Sequence, residues 1–171
     1  VGCLVFGISM SSFWAFAPIY AMEAGLSTTG IGVFMCLSLL GGAAGQWPLG
    51  GLSDRIDRRM VILGACVVAG LAGIALGQVY PADLMVLSVI GFVYGMFAFP
   101  LYALSVAHAN DYADSENFVE TSSGLLLAFG GGAVIGPALA TLAVEYGGPA
   151  WMFYFTAAVL AATALFALWR I

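Results

Sequence analysis

Six long stretches of this sequence contain no Asp, Glu, Lys or Arg, and each can cross a lipid bilayer as a helix. At about 1.5 Å per residue, a helix needs about 20 residues to cross ~30 Å of hydrocarbon. Only 8% of the residues are charged, whereas a soluble domain normally carries about 25%. We therefore predict an all-α membrane protein that forms one six-helix unit over residues 1–171. The predicted spans cover residues 1–22, 29–52, 60–79, 84–107, 121–144 and 150–169.

The connections between these stretches carry residues that begin and end helices. Gly25 closes the first span, and Ser27 or Thr28 can cap the second. Pro81 and Pro149 stand where a helix can begin without losing a backbone hydrogen bond. The alternation of apolar and polar residues that marks the strands of a membrane β-barrel does not occur. The spans are therefore expected to be helices.

The basic residues indicate how these helices are oriented. Because the number of spans is even, the second connection and the C-terminus fall on the same side of the membrane. Loops rich in Arg and Lys remain in the cytoplasm, so both ends of the chain are predicted to be cytoplasmic. The net charge of −5 gives no indication of nucleic-acid binding. The basic residues are Arg55, Arg58, Arg59 and Arg170.

A three-helix unit occurs twice in the sequence. PIYA at residues 18–21 is matched by PLYA at residues 100–103, an offset of 82, and Pro48 is matched by Pro137, an offset of 89. Because three is an odd number, the second copy is inverted relative to the first. Inverted repeats with helices interrupted by Pro and Gly are typical of secondary transporters. Chance similarity is the alternative, since Pro and Gly are common in membrane helices.

Five charged residues crowd into the six positions 54–59. The surrounding sequence, GGLSDRIDRRMVI, resembles the signature loop of the major facilitator superfamily, which joins the second and third helices of a six-helix half. Asp57 stands where the family prefers Gly, and an Asp at this position can cap the following helix. The residues that match the signature are Gly50, Leu52, Ser53, Asp54, Arg55, Arg58 and Arg59.

The resemblance covers the whole chain, which looks like the C-terminal half, helices seven to twelve, of an uncharacterised bacterial branch. It implies a secondary active transporter of the inner membrane, in which two six-helix halves rock about a central cavity and move a small molecule. Spans one and four would line the cavity, spans two and five would meet the other half, and spans three and six would face lipid. The chain starts inside a predicted helix without an initiator Met, so we expect an N-terminal half or a second six-helix chain as partner. The resemblance implies no enzymatic activity, cofactor or metal.

The resemblance also suggests a role for the charged loop. In the family, the acid at the position of Asp54 lies near the start of a helix of the opposite half, where the helix dipole favours an anion. The Arg at the position of Arg58 bonds an acid at the inner end of the fourth helix, for which Asp111 is the first candidate and Glu120 the second. Such a latch would close the inner side and open when the halves rock. The alternative is that these charges only set the topology.

Polar and aromatic side chains within the spans are candidates for lining the cavity, and Pro and Gly residues are candidates for kinks and close packing. The tyrosines could instead form an interfacial belt, and a membrane Gln usually bonds a neighbouring helix. The candidate lining residues are Ser9, Ser12, Trp14, Tyr20, Gln46, Tyr94 and Tyr102. The candidate kink and packing residues are Pro18, Pro48, Pro100, Gly132, Gly136 and Pro137.

Other functions fit the sequence less well. An intramembrane serine protease needs a His on a later helix than its nucleophilic Ser, and no His follows Ser122 or Ser123. The only His, His108, stands where water reaches it, which favours a solvated side chain over a proton relay. No carboxylate lies at mid-membrane, where a proton-coupling acid is expected. The remaining rival is a non-transporting structural or assembly membrane protein with the same fold and an apolar, filled cavity.

Overall fold

The computed structural model describes residues 2–79, 83–112 and 118–169 of the chain. These residues form helices, and six membrane-crossing segments are long and apolar enough to span a bilayer, which confirms the predicted fold class. The fourth crossing, Leu84–Asn110, is interrupted at Phe99 and Pro100 and therefore contains two helices. The helices are α1 (Gly2–Glu23), α2 (Thr28–Ser53), α3 (Arg58–Gln78), α4 (Leu84–Ala98), α5 (Leu101–Asn110), α6 (Phe118–Gly147) and α7 (Trp151–Trp169).

The turn between α1 and α2 follows the capping pattern read from the sequence. Ser27 Oγ accepts a hydrogen bond from Gly30 N at 3.2 Å and caps α2 as predicted. Gly25 has a φ of 90°, a left-handed conformation that residues with a side chain rarely adopt, and so it closes α1. Pro81, which was expected to begin the fourth span, and Arg170 lie outside the described residues.

The helices pack in pairs that are related by an approximate two-fold axis. The most extensive contacts join α1 to α6 and α2 to α4, each pair running parallel, whereas α3 packs antiparallel on α7. The fifth crossing is α6 and the sixth is α7. If the first three crossings are exchanged in order with the last three, the pair of the first and fifth (α1–α6) becomes the pair of the fourth and second (α4–α2). The pair of the third and sixth (α3–α7) becomes itself. α2 runs antiparallel to α1, because a tight turn joins the two helices. Since α4 is parallel to α2, the equivalent crossings α1 and α4 run in opposite directions. This arrangement is that of an inverted repeat.

Glycines allow α2 and α4 to pack with their backbones in direct contact. A Cβ atom on Gly41 would collide with the carbonyl oxygen of Phe92, and one on Gly45 would collide with that of Met96. Small residues of this kind allow close helix contacts where lipid provides no hydrophobic driving force between helices. We call this contact the α2–α4 seam.

Glycines also allow close backbone contact between α1 and α6. A Cβ atom on Gly132 would collide with the carbonyl oxygen of Leu4, and one on Gly136 would lie 2.5 Å from that of Ile8. Cβ atoms in real structures essentially never approach another heavy atom within 3.0 Å. Gly132 and Gly136 thus lie in close contact with α1, where a packing role was expected of them, and we call this contact the α1–α6 seam.

The two seams fix the register of the repeat and correct the sequence match. Two residues are equivalent when they make the same contact in the two seams. Equivalent residues of the first and fourth crossings are offset by 88 positions in the sequence, and those of the second and fifth crossings by 91. Pro18 is thus six residues, about 9 Å along a helix, from the position equivalent to Pro100, so the sequence match between them is out of register with the packing. Pro48 and Pro137 are only two residues out of register. The equivalent positions are Leu4 and Phe92, Gly7 and Gly95, Ile8 and Met96, Gly41 and Gly132, and Gly45 and Gly136.

The crossings differ in the share of residues in their most apolar stretches that is buried inside the described bundle. α2 and α6 are the least buried, at 33% and 17%, and α3 is the most buried, at 56%. α3, for which contact with lipid was expected, packs on α7, α4 and α5. It keeps one stripe of exposed apolar residues, which includes Met60, Val67, Leu71 and Ile74.

Candidate functional site

The charged loop between α2 and α3 is shaped by its own side chains. Ser53 Oγ donates a hydrogen bond to Gly50 O at 2.8 Å, and Asp54 N donates to the same carbonyl at 3.1 Å, so α2 ends here. The Asp57 carboxylate accepts a hydrogen bond from Arg59 N at 2.9 Å and caps α3. The Asp that replaces the family's preferred Gly is therefore the N-cap predicted from the sequence.

Arg58 bridges two carboxylates at this end of the bundle. Its Nε lies 3.1 Å from Asp111 Oδ2, and its Nη2 lies 3.4 Å from Asp54 Oδ1. The predicted ion pair between Arg58 and Asp111 is thus present and joins the start of α3 to the end of α5. The side chain of Asp54 is 73% exposed, so it is accessible to another half, and it also contacts Arg58 of its own half.

The neighbouring Arg59 contacts Tyr112, a residue that the sequence reasoning missed. Arg59 Nη2 donates a hydrogen bond to Tyr112 Oη at 3.2 Å, and the guanidinium carbon lies 5.9 Å from the centre of the ring. His108 meets the same ring edge-on at 5.3 Å. The only signal for Tyr112 in the sequence is an aromatic residue directly after Asp111 in a polar stretch. Arg58 and Arg59 therefore tie α3 to the end of α5 through separate contacts.

The other residues of the predicted loop site lie at the surface of the described bundle. Arg55 and Glu120 are exposed, and both described ion pairs of Arg58 are with other acids. Glu120 occupies the first turn of α6, where the helix dipole favours a negative charge. A Cβ atom on Gly50 would meet open space, so no described atom of this bundle requires a glycine there.

Four of the candidate lining residues are buried inside the bundle. Ser9, Ser12, Tyr20 and Tyr94 are at most 4% exposed, so they cannot line a cavity between this half and another. The prediction was wrong for these residues because it took hydroxyl groups as a sign of contact with water. The bundle uses such groups internally, as when Ser12 Oγ donates a hydrogen bond to Ile8 O at 2.7 Å.

Three of the candidate lining residues do reach the surface. Trp14 is partly exposed and stacks on Phe99, with 5.8 Å between ring centroids. Gln46 is exposed on α2, and Tyr102 is half-buried with its ring 4.6 Å from that of Phe129. Trp14, Gln46 and Tyr102 therefore remain the candidates for contact with a molecule outside the described bundle.

Tyr20 has a structural contact that the sequence did not reveal. Its hydroxyl lies 2.5 Å from Leu76 O and 2.7 Å from Val79 O, so its single proton is shared between two carbonyls at the end of α3. The last carbonyls of a helix have no partner within that helix, and a side chain of α1 supplies one here. Finding this contact required knowing that α1 and α3 end side by side.

The four prolines predicted to kink helices behave differently from one another. Pro100 lies at the break between α4 and α5, as expected of a helix interruption. Pro18, Pro48 and Pro137 lie inside the continuous helices α1, α2 and α6. Each proline inside a helix leaves the carbonyl four residues earlier without its usual donor.

Comparison with known proteins agrees with this geometry. The whole chain, residues 1–171, matches the model of the Major Facilitator Superfamily. An uncharacterized MFS-type transporter from Enterobacter sp. (strain 638) is 30% identical over 145 residues, which cover 84% of this chain and 36% of the relative. The uncharacterized MFS-type transporter YcaD of Salmonella paratyphi B is also 30% identical, and a relative from Yersinia pestis (strain Pestoides F) is 29% identical. The chain thus spans 36% of the length of these relatives.

Sequence, packing and relatives therefore lead to the same assignment. The charged loop joins the second and third of six membrane-crossing helices, and the two sets of three are related as an inverted repeat. The chain is an integral membrane protein and belongs to the Major Facilitator Superfamily, whose matching members here are transporters.

Proposed function

We propose that the chain is the C-terminal half of a twelve-helix secondary transporter that moves a small molecule across the bacterial inner membrane by alternating access. Because the chain covers 36% of its relatives, they have room for a second six-helix half. α2 and α6, which are the least buried crossings, support a contact with that half. The partner is then the N-terminal half or a second six-helix chain.

The observation that carries the proposal is the ion-pair network of Asp54, Arg58 and Asp111. Exposed ion pairs contribute only ~0–1 kcal/mol, which is little for the stability of a six-helix unit. A conformational equilibrium, however, shifts tenfold for about 1.4 kcal/mol. A network of this strength is therefore suited to adjusting the balance between two arrangements of the halves.

The surface around Asp54 supports the same role. The Asp54 carboxylate is largely exposed, and the nearby Gly50 offers room for the close approach of another backbone. We propose that a helix of the other half ends here, with its N-terminus toward Asp54, because the helix dipole favours an anion at that position. The latch would then combine this contact with the pair that Arg58 makes with Asp111.

We propose that this end of the bundle and both ends of the chain are cytoplasmic. The proposal follows from the arginines of the charged loop and the positive-inside rule. Cysteines introduced as Ile56→Cys and Thr29→Cys, both at exposed positions, fall at opposite ends of α2. An impermeant thiol reagent applied from outside should label the Thr29→Cys variant and spare the Ile56→Cys variant. The reverse pattern would overturn the orientation.

This half brings no formal charge to a substrate at mid-membrane, because the Asp, Glu, Lys and Arg residues of its described crossings all lie in the first or last turn of a helix. They are Glu23, Arg58, Arg59, Glu120 and Glu145. Trp14, Gln46 and Tyr102 offer the substrate aromatic and amide contacts instead. We propose that the other half binds any charged group of the substrate. We also propose that it supplies any acid that couples transport to protons.

Flux measurements on the full-length protein test the proposed function. Comparing the small molecules in cells with and without the protein identifies a substrate, whose flux is then measured in proteoliposomes under an imposed ion gradient. We expect gradient-dependent flux that Asp54→Asn slows, while Glu145→Gln, at an exposed position away from the loop, leaves it unchanged. The transporter assignment fails if no molecule shows such flux.

A non-transporting structural or assembly protein is the second candidate. It is favoured by the burial of Ser9, Ser12, Tyr20 and Tyr94, and by an aromatic core in which Phe13 stacks on Tyr94 at 5.1 Å. Such a protein needs no second conformation. It would give no flux, and Asp54→Asn would change neither its conformation nor the accessibility of Gln46.

A further inference from the structure

An open groove of about 300 Å³ runs along one flank of α2 and ends at the charged loop. Its lining positions recur every three or four residues, which is the spacing of one face of a helix. A Cβ atom on Gly51, in the middle of the groove, would meet open space. The lining residues are Trp47, Pro48, Gly51, Leu52 and Arg55.

This flank is on the opposite side of α2 from α5. Gln46 and Gly50 line a separate cleft together with Ala103 of α5. At about 100° per residue, the groove residues point on average roughly 150° around the helix axis from Gln46 and Gly50. The other half of the transporter, which we place beside Gly50 and Asp54, therefore leaves this flank of α2 to lipid.

Arg55 is the charged group of the groove. Its guanidinium makes no hydrogen bond, ion pair or ring contact with any residue that the structure describes. The acids beside it in the loop are held by other groups, because Asp54 lies 3.4 Å from Arg58 and the Asp57 carboxylate caps α3. No described carboxylate lines the groove. The guanidinium of Arg55 is therefore available to an anion.

The groove changes from charged to apolar along its length. Arg55 lies two residues beyond the end of α2, at the level of the helix ends. Trp47 lies eight residues earlier, about 12 Å along the helix axis at ~1.5 Å per residue, and its side chain is 88% exposed. The groove thus runs from the depth of lipid headgroups to the depth of acyl chains.

We propose that this groove binds one anionic phospholipid of the leaflet at this end of the bundle. The phosphate lies against the Arg55 guanidinium, and the first part of an acyl chain passes Gly51 and lies on the Trp47 ring. Basic residues next to membrane-spanning helices attract anionic lipids, and Trp is enriched near membrane interfaces. The proposal rests on the placement of the other half on the α5 side of α2, but it requires neither transport nor a particular orientation of the chain.

Quenching of Trp47 fluorescence by lipids with brominated acyl chains tests this site in the full-length protein. The protein is reconstituted with increasing fractions of brominated phosphatidylglycerol or brominated phosphatidylcholine, and the Trp47 signal is the difference between samples with and without Trp47→Phe. The same difference is measured in three arginine variants. Arg55→Gln removes the charge of the groove, Arg55→Lys keeps it, and Arg59→Gln removes an equal charge from the same loop outside the groove.

We expect half-maximal quenching of Trp47 at about a fivefold lower fraction of phosphatidylglycerol than of phosphatidylcholine, the effect of one basic residue near an anionic surface. Arg55→Gln should abolish this preference, whereas Arg55→Lys and Arg59→Gln should retain it. Equal quenching by the two lipids, or equal losses in Arg55→Gln and Arg59→Gln, would overturn the proposal, because either would indicate contact without a specific site. Absence of quenching by both lipids would also overturn it, since the other half would then cover the groove. None of these results depends on flux, so the lipid site and the transporter assignment can fail separately.

Discussion

Gly131→Ala and Gly132→Ala add the same methyl group to adjacent residues of α6, and the structure predicts opposite consequences. A Cβ atom on Gly131 meets open space, whereas one on Gly132 would lie 2.9 Å from Leu4 C, 3.0 Å from Ile8 N and closer still to Leu4 O. Ordinary contacts of a Cβ atom are 3.4–4 Å. α1 and α6 would therefore have to separate along the α1–α6 seam.

The energetic difference can be estimated from two opposing effects. Replacing Gly by Ala in a helix is favourable by up to about 1 kcal/mol, and this gain is the same at both positions. Overpacking a tight interior costs about 1–3 kcal/mol, and this cost applies only to Gly132. Gly131→Ala should therefore be neutral or stabilising, and Gly132→Ala should be less stable than Gly131→Ala by about 1–3 kcal/mol.

Thermal unfolding of the 171-residue chain in detergent measures this difference, with tryptophan fluorescence as the signal. Gly64→Ala on α3, which also meets open space, is a second control. The symmetry of the repeat predicts the same loss for Gly41→Ala, the equivalent residue of the α2–α4 seam. Equal midpoints for Gly131→Ala and Gly132→Ala would refute both the close contact and the register that follows from it.

Three further predictions concern side chains with defined contacts. Tyr20→Phe should lower the free energy of unfolding by about 1–3 kcal/mol, because it removes the hydroxyl that donates to two carbonyls at the end of α3. Tyr102→Phe should have less effect, and equal losses of stability in thermal unfolding of the two variants would contradict this prediction. A double-mutant cycle with Arg58→Gln and Asp111→Asn should give a coupling of ~0–1 kcal/mol in the folded half, and a coupling above about 3 kcal/mol would mean a buried pair. Gly50→Ala should leave the unfolding midpoint of the 171-residue chain unchanged or raise it, because Gly50 lies within α2 and its Cβ meets open space. It should slow flux in the full-length transporter, and unchanged flux would remove the proposed approach of the other half.

Much of the fold was predictable because each crossing leaves a direct mark in the sequence. Apolar runs without charge gave the six spans, and Ser27 and Asp57 stood where helix caps belong. The resemblance of the charged loop to a family motif suggested Asp111 as the first candidate partner of Arg58. These features depend on neighbours along the chain or on a known motif. The sequence therefore carries them without knowledge of packing.

The less predictable features depend on which helix faces share a contact. A hydroxyl in an apolar span is equally compatible with a wet cavity and with a bond to its own helix, so Ser9 and Ser12 were assigned to the wrong surface. The match between Pro18 and Pro100 placed the repeat out of register, because the symmetry is carried by glycines at the seams. The contact of Tyr20 with the end of α3 joins residues 56 positions apart and has no local signal.

The accessibility of Gln46 in the full-length protein tests the central claim most directly. In a cysteine-free background, Gln46→Cys places a thiol on the exposed surface of α2, and Leu71→Cys places one on the exposed stripe of α3 as a control. Alternating access predicts that an impermeant reagent labels the Gln46→Cys variant from both sides of the membrane. It also predicts that Asp54→Asn changes the ratio of the two rates, while the Leu71→Cys variant is labelled from neither side. Labelling of the Gln46→Cys variant from one side only, with a rate that Asp54→Asn leaves unchanged, would contradict the account.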